Sequence, residues 1–98
     1  MTSFAETYVR TAVDDPAAGY RMLTPAYQRA SGGIEGYRSF WSRVVAVKSL
    51  EDLRADPAAL TVSYRYDYVL RGAGRRTEDV RLRLEYRRDG SFRISGAV

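Results

Sequence analysis

Apolar residues change their spacing once along this chain. Up to about Val44 they recur every three or four residues, and beyond it they alternate. The first spacing lines one face of a helix; the second lines one face of a strand. In SFAETYVRTAV, Phe4, Tyr8, Val9, Ala12 and Val13 form one helical stripe, and Ser3 and Glu6 have the spacing of a capping box. Pro16 disfavours helix at Asp15 and ends that segment. Asp15-Pro16 then starts a second short helix through AAGYRML, with the acid as cap and the proline in the first turn. Thr24-Pro25 repeats the device, and Gly32-Gly33 stop the third helix. Tyr37, Phe40, Trp41 and Val44 stand at i, i+3, i+4 and i+7 and predict a fourth helix in IEGYRSFWSRV.

Four strands follow. VVAVKSLEDLRA begins in phase, with Val45 and Val47 alternating, but Leu50 and Leu53 do not continue the phase. A bulge near Ser49 accounts for that break. LTVSYRYDYVL puts Val62, Tyr64, Tyr66, Tyr68 and Leu70 on one face. RGAGR is a hairpin turn, and TEDVRLRLEYRR places Val80, Leu82, Leu84 and Tyr86 inward. Asp89-Gly90 signals a tight turn before SFRISGAV, where Phe92 and Ile94 point inward. The expectation is one α+β domain over residues 1–98, with helices from about 3 to 44 packed on a curved antiparallel sheet of about four strands from 44 to 98. One sheet face meets the helices. The other is charged and meets water or a partner.

Three tyrosines on one strand face raise the question of function. Burying them contributes to a core that a short chain needs. Each buried phenol also needs a partner, which aliphatic side chains do not. The pattern therefore predicts a cleft with hydroxyls at its lip, between Tyr8, Tyr27, Phe40 and Trp41 on the helices and Tyr64, Tyr66, Tyr68 and Tyr86 on the sheet.

Composition narrows the chemistry. The chain has no Cys and no His, which removes thiolate chemistry, His-based triads and the commonest metal ligand. Net charge is +4, and all but one of the 16 basic residues are Arg, which GC-rich codons explain without nucleic acid. The two halves of the chain each net +2, so there is no basic tail, and no nucleic-acid partner is expected. RGAGRR contains Gly-x-Gly but joins two strands, so it is no dinucleotide fingerprint. No apolar run approaches a membrane span, and the first ten residues lack the apolar stretch of a signal peptide. Arg65, Arg81, Arg83, Arg87 and Arg93 form a stripe on the outer face, interleaved with Asp67 and Glu85, and are the candidate dimer interface. Of the acids, Asp67 and Glu85 fall on the outward phase. Only Glu78, or Glu35 on a helix, is placed to reach a pocket. The sequence thus assigns no catalytic residue, no metal site and no cofactor.

Tyr8, Asp15 and Tyr20, then LTPAYQ at 23–28, GYRSFWSRV at 36–44 and alternating strands ending in Phe92-Arg93-Ile94 resemble a known family. These are the small NTF2-like (SnoaL or cystatin-cone) domains at the C-terminus of actinobacterial membrane serine/threonine protein kinases. Tyr20 stands where such domains often carry Trp. The resemblance implies helices inside a curved sheet with a pocket between them. It also implies a sensor domain on the extracellular face of the membrane, within a larger anchored protein. The start in a helix and the end near a strand suit such a domain. A small amphipathic ligand or a homodimer are the partners it suggests. The alternative within the same fold is a small SnoaL- or ketosteroid-isomerase-like enzyme using a pocket carboxylate and tyrosines.

Overall fold

The computed structural model describes residues 1–98. Its helical half is α1 (Thr2–Asp14), α2 (Pro16–Tyr20), α3 (Pro25–Ala30) and α4 (Gly33–Trp41). The two Pro-initiated helices start as the sequence predicts. The Asp15 carboxylate accepts from the Ala18 N–H at 3.4 Å, and the Thr24 hydroxyl accepts from the Tyr27 N–H at 3.3 Å. Each satisfies one of the orphan donors of a helix start. The capping box at Ser3 and Glu6 does not form. Helix α1 begins two residues earlier, with Met1 at the cap position and Thr2 as its first residue, so Ser3 already lies inside its first turn, and no side chain caps it. Helix α2 is shorter than predicted, because Arg21 and Met22 turn toward the sheet.

The sheet is an antiparallel meander of β1 (Val44–Asp56), β2 (Thr61–Leu70), β3 (Gly74–Tyr86) and β4 (Phe92–Ala97), in that spatial order. The helices cover one face of it. The β2–β3 turn needs positive φ at Gly72 (76°) and Gly74 (78°), which glycine adopts without strain. In the last turn, Asp89 accepts from the Ser91 N–H and hydroxyl, at 2.9 and 2.6 Å. The β4 edge is tied to the helical half. The Thr24 N–H donates to the Ile94 carbonyl and the Ile94 N–H to the Met22 carbonyl, both at 2.9 Å. That short parallel bridge at Leu23 closes part of an otherwise open edge.

The predicted irregularity in β1 is present between Val47 and Ser49, and two more flank it, at Val44/Ala46 and Glu51/Arg54. The first of these breaks the alternation of Val45 with Val47. The extra residue shifts the phase, so Val44 is buried while Val45 is 58% exposed. Asp52, with φ 54°, sits in the third bulge.

The core joins Ala5, Tyr8, Val9 and Ala12 of α1 and Tyr37 and Trp41 of α4 to Val62, Tyr64, Tyr66, Tyr68, Leu82, Leu84 and Ile94 of the sheet. All three β2 tyrosines face the helices. Gly19 lets the helices approach. A Cβ there would lie 2.8 Å from the Tyr37 hydroxyl and 2.9 Å from the Ala12 Cα. No helix is long and apolar enough to cross a membrane.

Candidate functional site

Helix α4 and the start of α3 stand over β2 and β3 without filling the space between them. Tyr8 on α1, Tyr27 on α3, and Tyr37, Phe40 and Trp41 on α4 form one wall. Tyr64, Tyr66, Val80 and Leu82 form the other, with Leu23 and Ala97 at its margin. The cleft between them, open to solvent on one side, holds about 240 Å³. It is smaller than the ~300–1,000 Å³ of drug-sized ligand sites.

Six of the eight residues assigned from sequence line this cavity: Tyr8, Tyr27, Phe40, Trp41, Tyr64 and Tyr66. Tyr68 is buried but lies behind Tyr66, stacked on it with centroids 4.3 Å apart and planes 12° apart. Tyr86 is a correction. It is in phase with Leu82 and Leu84, yet it is 61% exposed. Its ring leans on Phe92 at 5.2 Å, and it is Phe92 that meets α1, at Phe4, 5.7 Å away. Tyr37 and Leu23 were not among the predicted cleft residues. Tyr37 carried a signal, because it shares the α4 stripe with Trp41. Leu23 comes to the cleft only through the bridge to Ile94, which no periodicity announces.

The hydroxyls divide into two groups. Tyr8 and Tyr37 bond each other at 2.7 Å in the buried wall. Tyr66 donates to Glu78 Oε2 at 3.3 Å. The hydroxyls of Tyr27 and Tyr64 bond no protein group, and no sealed side-chain polar atom lacks a partner, so both keep access to the cleft or to solvent. Glu78 stands on the helix-facing phase that its position predicts. Glu35 lies exposed on α4.

Burial is the main influence on these phenols. It raises Tyr8 well above the ordinary tyrosine range, reinforced by its neighbour Tyr37. Tyr37 is pushed up to about 12, burial outweighing the opposing effect of its bond with Tyr8. Burial raises Tyr64 and Tyr66 too, with smaller contributions from neighbouring phenols and from the Glu78 charge. At neutral pH the cleft therefore presents neutral hydroxyls, which donate or accept hydrogen bonds and supply no phenolate base.

The outer face differs. Arg65 donates to Asp79 at 2.9 Å and reaches Asp52 at 4.0 Å. Arg75, outside the predicted stripe, grips Asp67 with two nitrogens, and this bond holds the Asp67 carboxyl below its usual range. Arg87 approaches Glu85 at 4.0 Å, and Arg93 folds back onto the Ser91 hydroxyl and the Phe92 carbonyl. Only Arg81 and Arg83 of the predicted stripe stay exposed without a salt bridge. A shallow groove of about 480 Å³ crosses this face between Asp52, Arg54, Arg65, Asp79 and Arg81. It is larger than the cleft, and only Arg65, Asp52 and Asp79 among its charges are paired, while Arg54 and Arg81 form no salt bridge. No acidic cluster is placed to hold a metal ion. No protein-family model matches the chain, and no curated protein or solved structure matches it either.

Proposed function

We propose that this chain is a non-catalytic sensor or binding domain of the NTF2-like cone type, whose aromatic cleft holds a small amphipathic ligand. One observation carries the reading. Two tyrosines of the same array, Tyr27 and Tyr64, leave their hydroxyls without protein partners beside a cavity of about 240 Å³. A closed core would have paired them as it pairs Tyr8 with Tyr37. The helices-then-meander order and the LTPAYQ and GYRSFW segments support assigning the domain to the extracellular part of a membrane serine/threonine protein kinase. In that setting, ligand capture outside the cell would be passed to a kinase inside it. The exposed Arg81 and Arg83 support a weak homodimer through the outer face. Sedimentation of the wild type against Arg83→Glu tests that part, and a strict monomer at high micromolar concentration contradicts it.

Trp41 is the sole tryptophan and lines the cleft, so its fluorescence reports occupancy. A fragment screen at millimolar concentration is expected to give saturable changes that Tyr64→Phe weakens about fivefold, the worth of one hydrogen bond. No saturable change with any fragment contradicts the binding reading.

The Tyr66–Glu78 bond favours one rival, an isomerase-like enzyme with Glu78 as base. NMR titration separates the two. A Glu78 carboxyl titrating well above the unperturbed value of about 4.3 supports the enzyme, and one titrating near that value supports binding.

A further inference from the structure

We infer that the ligand class of this cleft is a small, soluble quaternary ammonium compound, its cationic head boxed by aromatic rings. The inference rests on the binding reading above and narrows it. Seven of the 13 lining residues are aromatic, and none is Arg or Lys, although the chain holds 16 basic residues. The faces of aromatic rings carry partial negative charge, and a cation within about 6 Å of them is attracted, more strongly as water is excluded.

Ring geometry argues against a flat ligand. Trp41 meets Tyr8 at 87°, Phe40 at 88° and Tyr37 at 49°. Rings set this steeply offer a planar group no slot between parallel plates. The one parallel pair, Tyr66 and Tyr68, is already closed on itself. An anion would lack a cationic partner here. A primary ammonium would need several acceptors for its N–H groups, and a wall of rings supplies few. A fully methylated nitrogen has no N–H to satisfy, so phenol and indole rings suffice.

Charge points the same way. Glu78 accepts from the Tyr66 hydroxyl and pairs with none of the arginines. Its negative charge, exposed to solvent on its outer side, is one hydrogen bond from the cleft residue Tyr66. Arg76, on the same strand face, is paired in register with Tyr68, one further step from the cavity. The volume, about 240 Å³, suits a trimethylammonium head with a short tail better than a larger ring system.

The test titrates choline against dimethylbutanol, its uncharged carbon isostere, following Trp41 fluorescence and NMR shifts. Choline is expected to saturate the site at least about tenfold more tightly than the isostere. Glu78→Gln is expected to weaken choline severalfold and leave the isostere unchanged, with an unaltered urea melt showing the fold intact. Tyr27→Leu, at a half-buried position, should weaken choline severalfold as well. Equal or tighter binding of the isostere overturns the cation assignment and leaves a neutral-ligand cleft standing. Fragment hits at Trp41 without choline binding overturn it in the same way. Binding only to phosphatidylcholine vesicles, and not to free choline, overturns the assignment to a soluble compound. Silence of Trp41 toward every compound removes the cation assignment and the binding reading together.

Discussion

Two ends of one tyrosine array behave differently. At one end Tyr8 and Tyr37 close their hydroxyls on each other, 2.7 Å apart, beneath Gly19, which leaves room for no larger side chain. At the other, Tyr27 and Tyr64 keep theirs free beside the cleft. The rings are chemically the same and similarly apolar. What separates them is that Tyr8 and Tyr37 meet where α1, α2 and α4 pack closely together, whereas Tyr27 and Tyr64 meet no protein partner. The first pair is a structural device, because each phenol satisfies the other's desolvated oxygen. The second is where the interior remains able to bond something else. Tyrosine content alone therefore does not mark a site; an unmatched hydroxyl at a cavity does.

The largest effect expected lies in the fully buried core rather than among the tyrosines. Ile94 is fully buried, and its backbone carries the bridge to the helical half. Ile94→Ala should cost about 2–5 kcal/mol in urea unfolding. A loss below that range would mean the bridge region is looser than its burial implies.

The comparison itself is sharpened by matched substitutions. Tyr8→Phe leaves the Tyr37 hydroxyl unpaired in the wall and should cost about 1–3 kcal/mol. Tyr64→Phe removes a hydroxyl with no protein partner and should cost less than about 1 kcal/mol while weakening ligand binding. Equal costs for the two would erase the distinction between closed and open ends.

Alkaline pH acts on the same rings. The folded Tyr37 titrates at about 12 against an ordinary value of 10.0, so between those values the unfolded chain loses a proton that the folded one keeps. Stability is fully present below pH 10 and falls as pH rises toward 12. Tyr8, raised by the same burial, adds to the loss. Phenolate absorbance should therefore appear in two phases, the later one coinciding with loss of tertiary structure by near-ultraviolet circular dichroism.

The smallest effect concerns the outer face. Arg75 holds the Asp67 carboxyl below its ordinary value, so this pair stabilises the fold above about pH 4. That contribution is lost as pH falls through the lowered value. Asp67→Asn should flatten the acid limb of the stability curve slightly and leave the neutral-pH unfolding midpoint nearly unchanged, as expected for an exposed pair.

Much of this architecture was legible because the hydrophobic period changes from 3.6 to 2 at Val44. The inward phase of Tyr64, Tyr66 and Tyr68, the two Pro-initiated helices and the bulge near Ser49 all follow from local rules. The misses have physical reasons. Phase says which way a side chain points, not whether anything covers it, so Tyr86 is in step with Leu84 yet exposed. A capping box needs a helix that begins at it, and α1 begins two residues earlier. Arg75 was missed because it reaches Asp67 diagonally, from the residue opposite Val69. The cleft's aromatic character could be read from the stripes. Which hydroxyls pair and which stay free could not, because that depends on how α1, α2 and α4 pack on one another.

The central claim is that the open end of the array is the binding surface. Mapping choline onto the folded protein by NMR tests it most directly. The account predicts saturable shifts of the Trp41 indole N–H and the Tyr27, Tyr64 and Tyr66 ring protons, with Arg65, Asp67 and Asp79 on the outer face unmoved. Shifts confined to those outer-face residues, or a cleft that stays silent at saturating ligand, would contradict it.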